Sequence, residues 1–273
     1  MTRGGGFAAT IVKLSRTLGT ALVSENVARQ PGLMQSLDPR VRVIGVLSLV
    51  LAVTLSHRLA AIFAVFLSGV MLVLLSRVSL FMLSTRVWLP VLLFTGVIAL
   101  PALFVTPGAA IFSFPSAGFP ITAQGLHSAA LLIFRVETAA TLTALLVLAT
   151  PWMHILKALR WFGLPQEVVM MLAMTHRYVF LLAETAGQMF ESRQSRTVGV
   201  LDRATQRQVT ARTAGVLLSK SIELSSEVFL AMQSRGFRGD ARVLVDFRLR
   251  ARDYLGLAAL LSLAILSVWV GRA

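Results

Sequence analysis

From Val43 to Val105 the only charged residues are Arg58, Arg77 and Arg86. Text of this kind fits a bilayer, where a membrane helix needs about 20 mostly apolar residues. The whole chain agrees with it: 56% of the residues are hydrophobic and 14% are charged, against about 25% charged in soluble domains. Yet the formal net charge is +14. High basicity in so apolar a chain points to cytoplasmic loops rich in Lys and Arg. Nucleic-acid binding, the other common source of such charge, needs a soluble basic face, and that partner is set aside. The chain has no cysteine, which excludes disulfides, thiolate metal sites and Cys nucleophiles.

Residues 1–37 are mixed in character and lack an apolar core followed by a small-residue cleavage site, so they read as a cytoplasmic N-terminal extension. Asp38-Pro39 is a helix-start signal, with Asp as cap and Pro at the first helical position. Residues 38–150 then read as four transmembrane helices. The first two, about 41–56 and 59–76, form a hairpin around His57-Arg58, with a single broken span as the alternative. Arg77 and Arg86 mark a short basic turn. The third span, about 87–105, contains Pro90 and Pro101, which membrane helices tolerate. An uncharged loop, 106–120, precedes the fourth span, about 121–150.

That fourth span carries Arg135 and Glu137 in its middle, where a charge costs about 2.5–3.5 kcal/mol on insertion scales. Two residues apart, they point to different faces and are poor mutual partners. Arg135 reads either as an intramembrane contact with another helix or subunit, or as an interfacial Arg that snorkels.

Residues 151–252 change texture and hold fifteen of the 26 Lys and Arg. Trp152, Ile155, Leu156 and Leu159 set a helical stripe, which Gly163-Leu164-Pro165 breaks. A second helix runs from Pro165 to about Arg196, partly embedded but interrupted by His176-Arg177-Tyr178. A third, which Asp202 can cap, places Leu217, Leu224, Val228 and Ala231 on one stripe. A last span, about 254–270, lies in the C-terminal segment 253–273. Basic residues crowd into 1–42, the 77–86 turn and 151–252, which puts the N-terminus inside and, with five spans, the C-terminus outside.

The tripeptide Gln-Ser-Arg occurs twice in this basic region, as Gln194-Ser195-Arg196 and Gln233-Ser234-Arg235. Each copy ends a long amphipathic helix and is followed by glycine, Gly199 and Gly236. An Arg at a helix C-terminus complements the macrodipole. Two copies on successive cytoplasmic helices also suit docking into two equivalent pockets, because the Arg fork bonds carboxylates or helix-end carbonyls in two places.

At these residues the chain resembles the transmembrane T component of energy-coupling factor (ECF) transporters, whose coupling helices end in short Arg motifs. "LDPR", "LLIFRVETAATLTALL", "ATPWMHILKALRWFGLP" and "AMQSRGF" resemble the family in the same order, over about Leu37 to Gly239. The first motif departs by Thr197 where Gly is usual, and both carry Ser where Ala is usual. The opening "LDPRVRVIGVLSL" is most similar to the cobalt and nickel (CbiQ-like) branch.

The resemblance implies an all-α integral membrane protein of about five spans with an inserted cytoplasmic coupling-helix region. It implies two ABC-type ATPase partners, a small substrate-binding membrane subunit, and a prokaryotic inner-membrane location. Gln194, Ser195, Arg196, Gln233, Ser234, Arg235 and Gly236 would make the ATPase contacts. The chain itself would bind no cofactor, since ATP is hydrolysed by the partners, and would be no enzyme. Its four histidines, His57, His127, His154 and His176, show no paired-ligand spacing. A vitamin importer, a membrane enzyme and a stand-alone transporter are the alternatives. No Walker A, GxSxG or dinucleotide-binding motif supports the enzyme.

Overall fold

The computed structural model describes residues 32–105, 110–113, 120–197, 202–238 and 250–272. By contact, the chain divides into two units. One comprises 32–158 with 250–272, and the other 159–238.

The first unit is a helical bundle. The short α1, Leu33–Ser36, leads into α2, Pro39–Leu55, and α3, Leu59–Leu75. Asp38 caps α2 as the sequence implies, its carboxylate accepting from the Arg40 N–H at 2.9 Å. The two apolar runs are separate helices joined through Ser56-His57-Arg58, not one broken span. At 17 residues each, α2 and α3 are about 25 Å long, short of the roughly 30 Å hydrocarbon core.

The third span begins earlier than the sequence suggests. Helix α4, Leu80–Leu83, runs through a π-helical turn, Ser84–Trp88, into α5, Leu89–Val105. Ser79 starts it by accepting from the Met82 N–H at 3.4 Å. Arg86 thus lies inside a helix and not in a turn. The wider turn falls just before Pro90, whose ring would otherwise meet the carbonyl four residues back and which has no N–H to donate.

Part of the loop 106–120 is a small antiparallel ribbon, β1 (Ala110–Ser113) with β2 (Pro120–Thr122), pairing Ala110 with Thr122 and Ser113 with Pro120. Helix α6, Ala123–Ala149, follows; Thr122 caps it by accepting from the Gly125 N–H at 3.0 Å. The last helix of this unit is α10, Ala251–Arg272.

Hydrogen bonds fix how these helices run. Asp38 N–H donates to Asp253 at 2.9 Å near the start of both α2 and α10. At their far ends, Ser56 Oγ donates to the Ser267 carbonyl at 3.1 Å and the His57 N–H to the Gly271 carbonyl at 3.2 Å. So α2 and α10 are parallel. Helix α6 is antiparallel to both, because Arg42 reaches Ala149 and Arg135 reaches Ser56.

Close approach needs small residues, since lipid supplies no hydrophobic drive between helices. A Cβ on Gly45 would meet Leu260, one on Gly256 would meet Leu37, and one on Gly271 would meet the Cα of Ser56. Val46, Leu49, Val53, Ile62, Val65, Leu142, Leu145 and Leu260 fill the interior. Phe63 and Phe66 stand edge-on to Phe134. Leu51, Leu67, Leu93, Phe94, Ile265 and Trp269 are exposed outward, as lipid-facing positions are.

By length and composition Leu80–Pro101, Ala123–Ala149, Gln166–Arg196 and Ala251–Arg272 are apolar enough to cross a membrane, and Leu59–Leu75 is a shorter apolar helix. With α2 packed along α10, the first unit is a multi-pass membrane bundle of helices, the short β1–β2 ribbon aside.

Helix α7, Trp152–Trp161, carries the boundary between the units. Leu156 and Ala158 are its buried residues, while Trp152 of the expected stripe is exposed. In the second unit α8, Gln166–Arg196, packs on α9, Arg203–Ser234. Asp202 caps α9, accepting from the N–H groups of Ala204 and Thr205. Thr213 is buried and Leu217, Leu224, Val228 and Met232 are half-buried along one face of α9. Ala231, expected on that stripe, is exposed; Leu218, Ile222, Phe229 and Leu230 form a second, open apolar face.

Candidate functional site

Both Gln-Ser-Arg copies end their helices. Gln194, Ser195 and Arg196 form the last turn of α8, with Thr197 as its C-cap. Gln233 and Ser234 close α9, with Arg235 as its C-cap. Each serine hydroxyl bonds the carbonyl three residues back, Ser195 to Ser192 and Ser234 to Ala231, both at 2.9 Å. All six residues are exposed. Neither Arg196 nor Arg235 engages another described residue.

The two ends are nevertheless built differently. At α9 the Phe237 N–H donates to the Met232 carbonyl at 3.0 Å and the Gly236 N–H to Gln233 at 2.9 Å. This is a Schellman closure, and Gly236 supplies the left-handed φ of +80° it requires. At α8 Thr197 stays extended at φ −99°, and its hydroxyl bonds the Arg193 carbonyl at 2.7 Å. The departure from glycine at Thr197 is therefore matched by a different stop. Gly199 lies outside the described residues.

Arg135 Nη2 donates to the Ser56 carbonyl at 2.7 Å. It meets the C-terminal end of α2 and so places a cation at the negative pole of that helix. Glu137 is buried at 5% exposure, and its carboxyl oxygens bond no other group. The two side chains do not pair, as their spacing implies.

One cluster escapes a reading of the sequence. Arg42, 4% exposed, sits at the start of α2 and donates to the carbonyls of Gln35 (2.7 Å), Leu37 (2.6 and 2.9 Å) and Ala149 (2.7 Å). Its Nη1 also reaches Thr150 Oγ1 at 3.3 Å. Asp253 accepts from Asp38 N–H through one oxygen and from Arg250 N–H, at 2.7 Å, through the other. The second bond is the reach-back of a capping box at the start of α10. The end of α6 at Ala149 and the start of α10 at Ala251 are both tied to this cluster. His154 stands close by. Burial first, then the charges of Arg42 and Lys157, hold its imidazole below the ordinary value, with Asp38 opposing. The available signal was an Arg inside the first span and the lone acid of the last.

Among the described residues no group of three or more His, Cys, Asp or Glu side chains is placed to hold a metal ion. The sequence pattern of CbiQ, described as a cobalt transport protein, matches residues 32–245. The chain belongs to the CbiQ cobalt transport family. The chain is 30% identical to the cobalt transport protein CbiQ of Rhodobacter capsulatus over 74% of its length and 82% of that protein's. It is also 27% identical to the uncharacterized protein MJ1571 of Methanocaldococcus jannaschii, over 90% of its own length and 86% of that protein's. The CbiQ match runs from α1 through both Gln-Ser-Arg ends and stops short of α10. This is a membrane transport component.

Proposed function

We propose that this chain is the coupling subunit of an ATP-driven importer of the energy-coupling factor type, with cobalt or nickel as cargo. Two ABC-type ATPase subunits would hydrolyse the ATP, and a separate small membrane subunit would hold the ion. The N-terminus and residues 151–252 face the cytoplasm in this reading, as their basic residues favour.

One observation supports it above the others. Two long helices inserted between the fourth and fifth spans each end in an exposed arginine that engages no other described residue. Each guanidinium would seat in one ATPase, and nucleotide-driven closure of the ATPase pair would displace both helix ends. Displacement of α8 and α9 then reaches the bundle through the segments after Thr150 and before Arg250, where Arg42 and Asp253 fasten α2, α6 and α10 together. Coupling of this kind needs only about 1–3 kcal/mol of differential affinity.

The test is co-purification and transport with the Arg196→Ala, Arg235→Ala double variant. The expected result is normal membrane insertion, loss of ATPase association by tenfold or more, about 1.4 kcal/mol, and loss of ion uptake. Retained uptake removes the coupling role.

A further inference from the structure

The end of the bundle at Ser56 has an unbalanced charge. Arg58 follows the end of α2, Arg272 closes α10 next to Gly271, and Arg135 arrives from α6. The bonds from Arg135 to Ser56 and from His57 to Gly271 bring the three positions to one place. Arg58 and Arg272 are exposed and engage no other described residue. Arg135 Nε is buried without an acceptor.

Among the described residues no carboxylate answers them. In the described residues of this unit the acids are Asp38, Glu137 and Asp253. Asp38 and Asp253 lie at the opposite end, joined to each other. Glu137 points away from Arg135, two residues along a helix. Helix ends do not answer them either. The C-termini of α2 and α10 contribute about half a negative charge each, and the N-terminus of α3 returns about half a positive one. Counting the described groups alone, roughly two positive charges or more remain.

This end also falls where a headgroup can reach it. Helix α2 has 17 residues, about 25 Å, so it stops near or just below the headgroup boundary of a 30 Å core. Arginine stems snorkel outward from such a level. The basic-residue bias of the sequence places this end away from the cytoplasm, where arginines are disfavoured, so their presence calls for a partner.

We infer that Arg58, Arg272 and Arg135 form a binding site for the phosphodiester of an anionic phospholipid at the Ser56 end of the bundle. The guanidinium forks of Arg58 and Arg272 suit a phosphate in a two-point bond. Arg135, held by the Ser56 carbonyl, supplies fixed positive charge behind them. A lipid seated there holds the short α2–α3 turn at the membrane surface and supplies the missing counter-charge.

Native mass spectrometry of the detergent-purified full chain tests this with three probes: phosphatidylglycerol, phosphatidylcholine and inorganic phosphate. Wild type is expected to retain phosphatidylglycerol over phosphatidylcholine. Arg58→Gln with Arg272→Gln is expected to weaken it about 30-fold, from the usual contribution of a basic residue near an anionic headgroup. The Arg77→Gln, Arg86→Gln pair, on the opposite side of α3, serves as control and is expected to bind as wild type. Equal retention by the Arg58, Arg272 variant, equal binding of phosphatidylcholine, or an equal loss in the control pair overturns the site. Displacement of the lipid by millimolar-range inorganic phosphate makes it a free-anion site and overturns the lipid assignment. The measurement reads lipid on the isolated chain, so its outcome is separate from that of the transport reading.

Discussion

Arg42 Nη1 donates to the carbonyl of Ala149 at 2.7 Å, across 107 positions of sequence. The acceptor is one of the last carbonyls of α6, which have no partner within their own helix. Arg42 therefore closes α6 from outside and joins it to α2. Arg42→Met keeps the volume and strands the carbonyls of Gln35, Leu37 and Ala149. The expected loss is about 3 kcal/mol or more, the usual scale for removing a buried charged partner. It should appear as a lowered unfolding midpoint of the purified protein in detergent. Arg42→Lys should recover part of it, since one ammonium reaches fewer of these acceptors. An unchanged midpoint in Arg42→Met shows that the clamp contributes nothing.

The parallel pair α2 and α10 is closed by Gly271. A Cβ there would lie 2.7 Å from Ser56 Cβ and 3.0 Å from its Cα, and backbone cannot swing aside. Gly271→Ala should separate the helix ends, lengthen the bond from His57 N–H to the Gly271 carbonyl, and cost about 1–3 kcal/mol. Gly96 in α5 is the comparison, because a Cβ there meets nothing within 4 Å. Gly96→Ala should be neutral or slightly stabilising, as alanine favours a helix by up to about 1 kcal/mol. Side-by-side melting of the two variants checks both signs.

The sequence carried the spans clearly where apolar runs were bounded by charge, as at Asp38, Arg58 and Arg77. It misled at Arg86. A basic residue there looked like a turn, but the helix absorbs it through a π turn ahead of Pro90. The Gln-Ser-Arg ends were readable because a repeated polar tripeptide sits at the end of an amphipathic pattern. Arg42 was not, because its role depends on which carbonyls stand orphaned at the end of a helix more than a hundred residues away. Asp253 failed to stand out for the same reason: its partner is the backbone of Asp38, and backbone groups leave no mark in a sequence. The stripe on α9 was right at Leu217, Leu224 and Val228 and wrong at Ala231. Helical spacing fixes a face only to within one residue, and Met232 takes the place.

His154 gives the protein a pH response. Its folded-state pKa lies below the ordinary imidazole value of 6.5, so the unfolded chain binds the proton more readily. The neutral imidazole then contributes stability that is fully present above 6.5 and is lost as pH falls through the depressed folded value. The expected result is an unfolding midpoint that falls as the pH is lowered from neutral through the imidazole range. His154→Gln should flatten that part of the profile. A wild-type midpoint that holds or rises on acidification contradicts the effect.

The ends of α8 and α9 should respond unequally to a change at the residue that stops each helix. Gly236 holds φ at +80°, a conformation that costs an L-residue about 1–2 kcal/mol. Gly236→Ala should therefore loosen the Schellman closure and raise hydrogen exchange at the N–H groups of Gly236's neighbours, Arg235 and Phe237. Thr197 sits at φ −99°, which any residue adopts, and its hydroxyl bond to Arg193 is exposed. Thr197→Gly should cost no more than about 1 kcal/mol at that helix end. If Arg196 and Arg235 are both pegs, Gly236→Ala should weaken ATPase association more than Thr197→Gly does, because only the first displaces its arginine's backbone. Equal exchange rates and equal association in the two variants would show that the stop beyond each arginine has no part in presenting it.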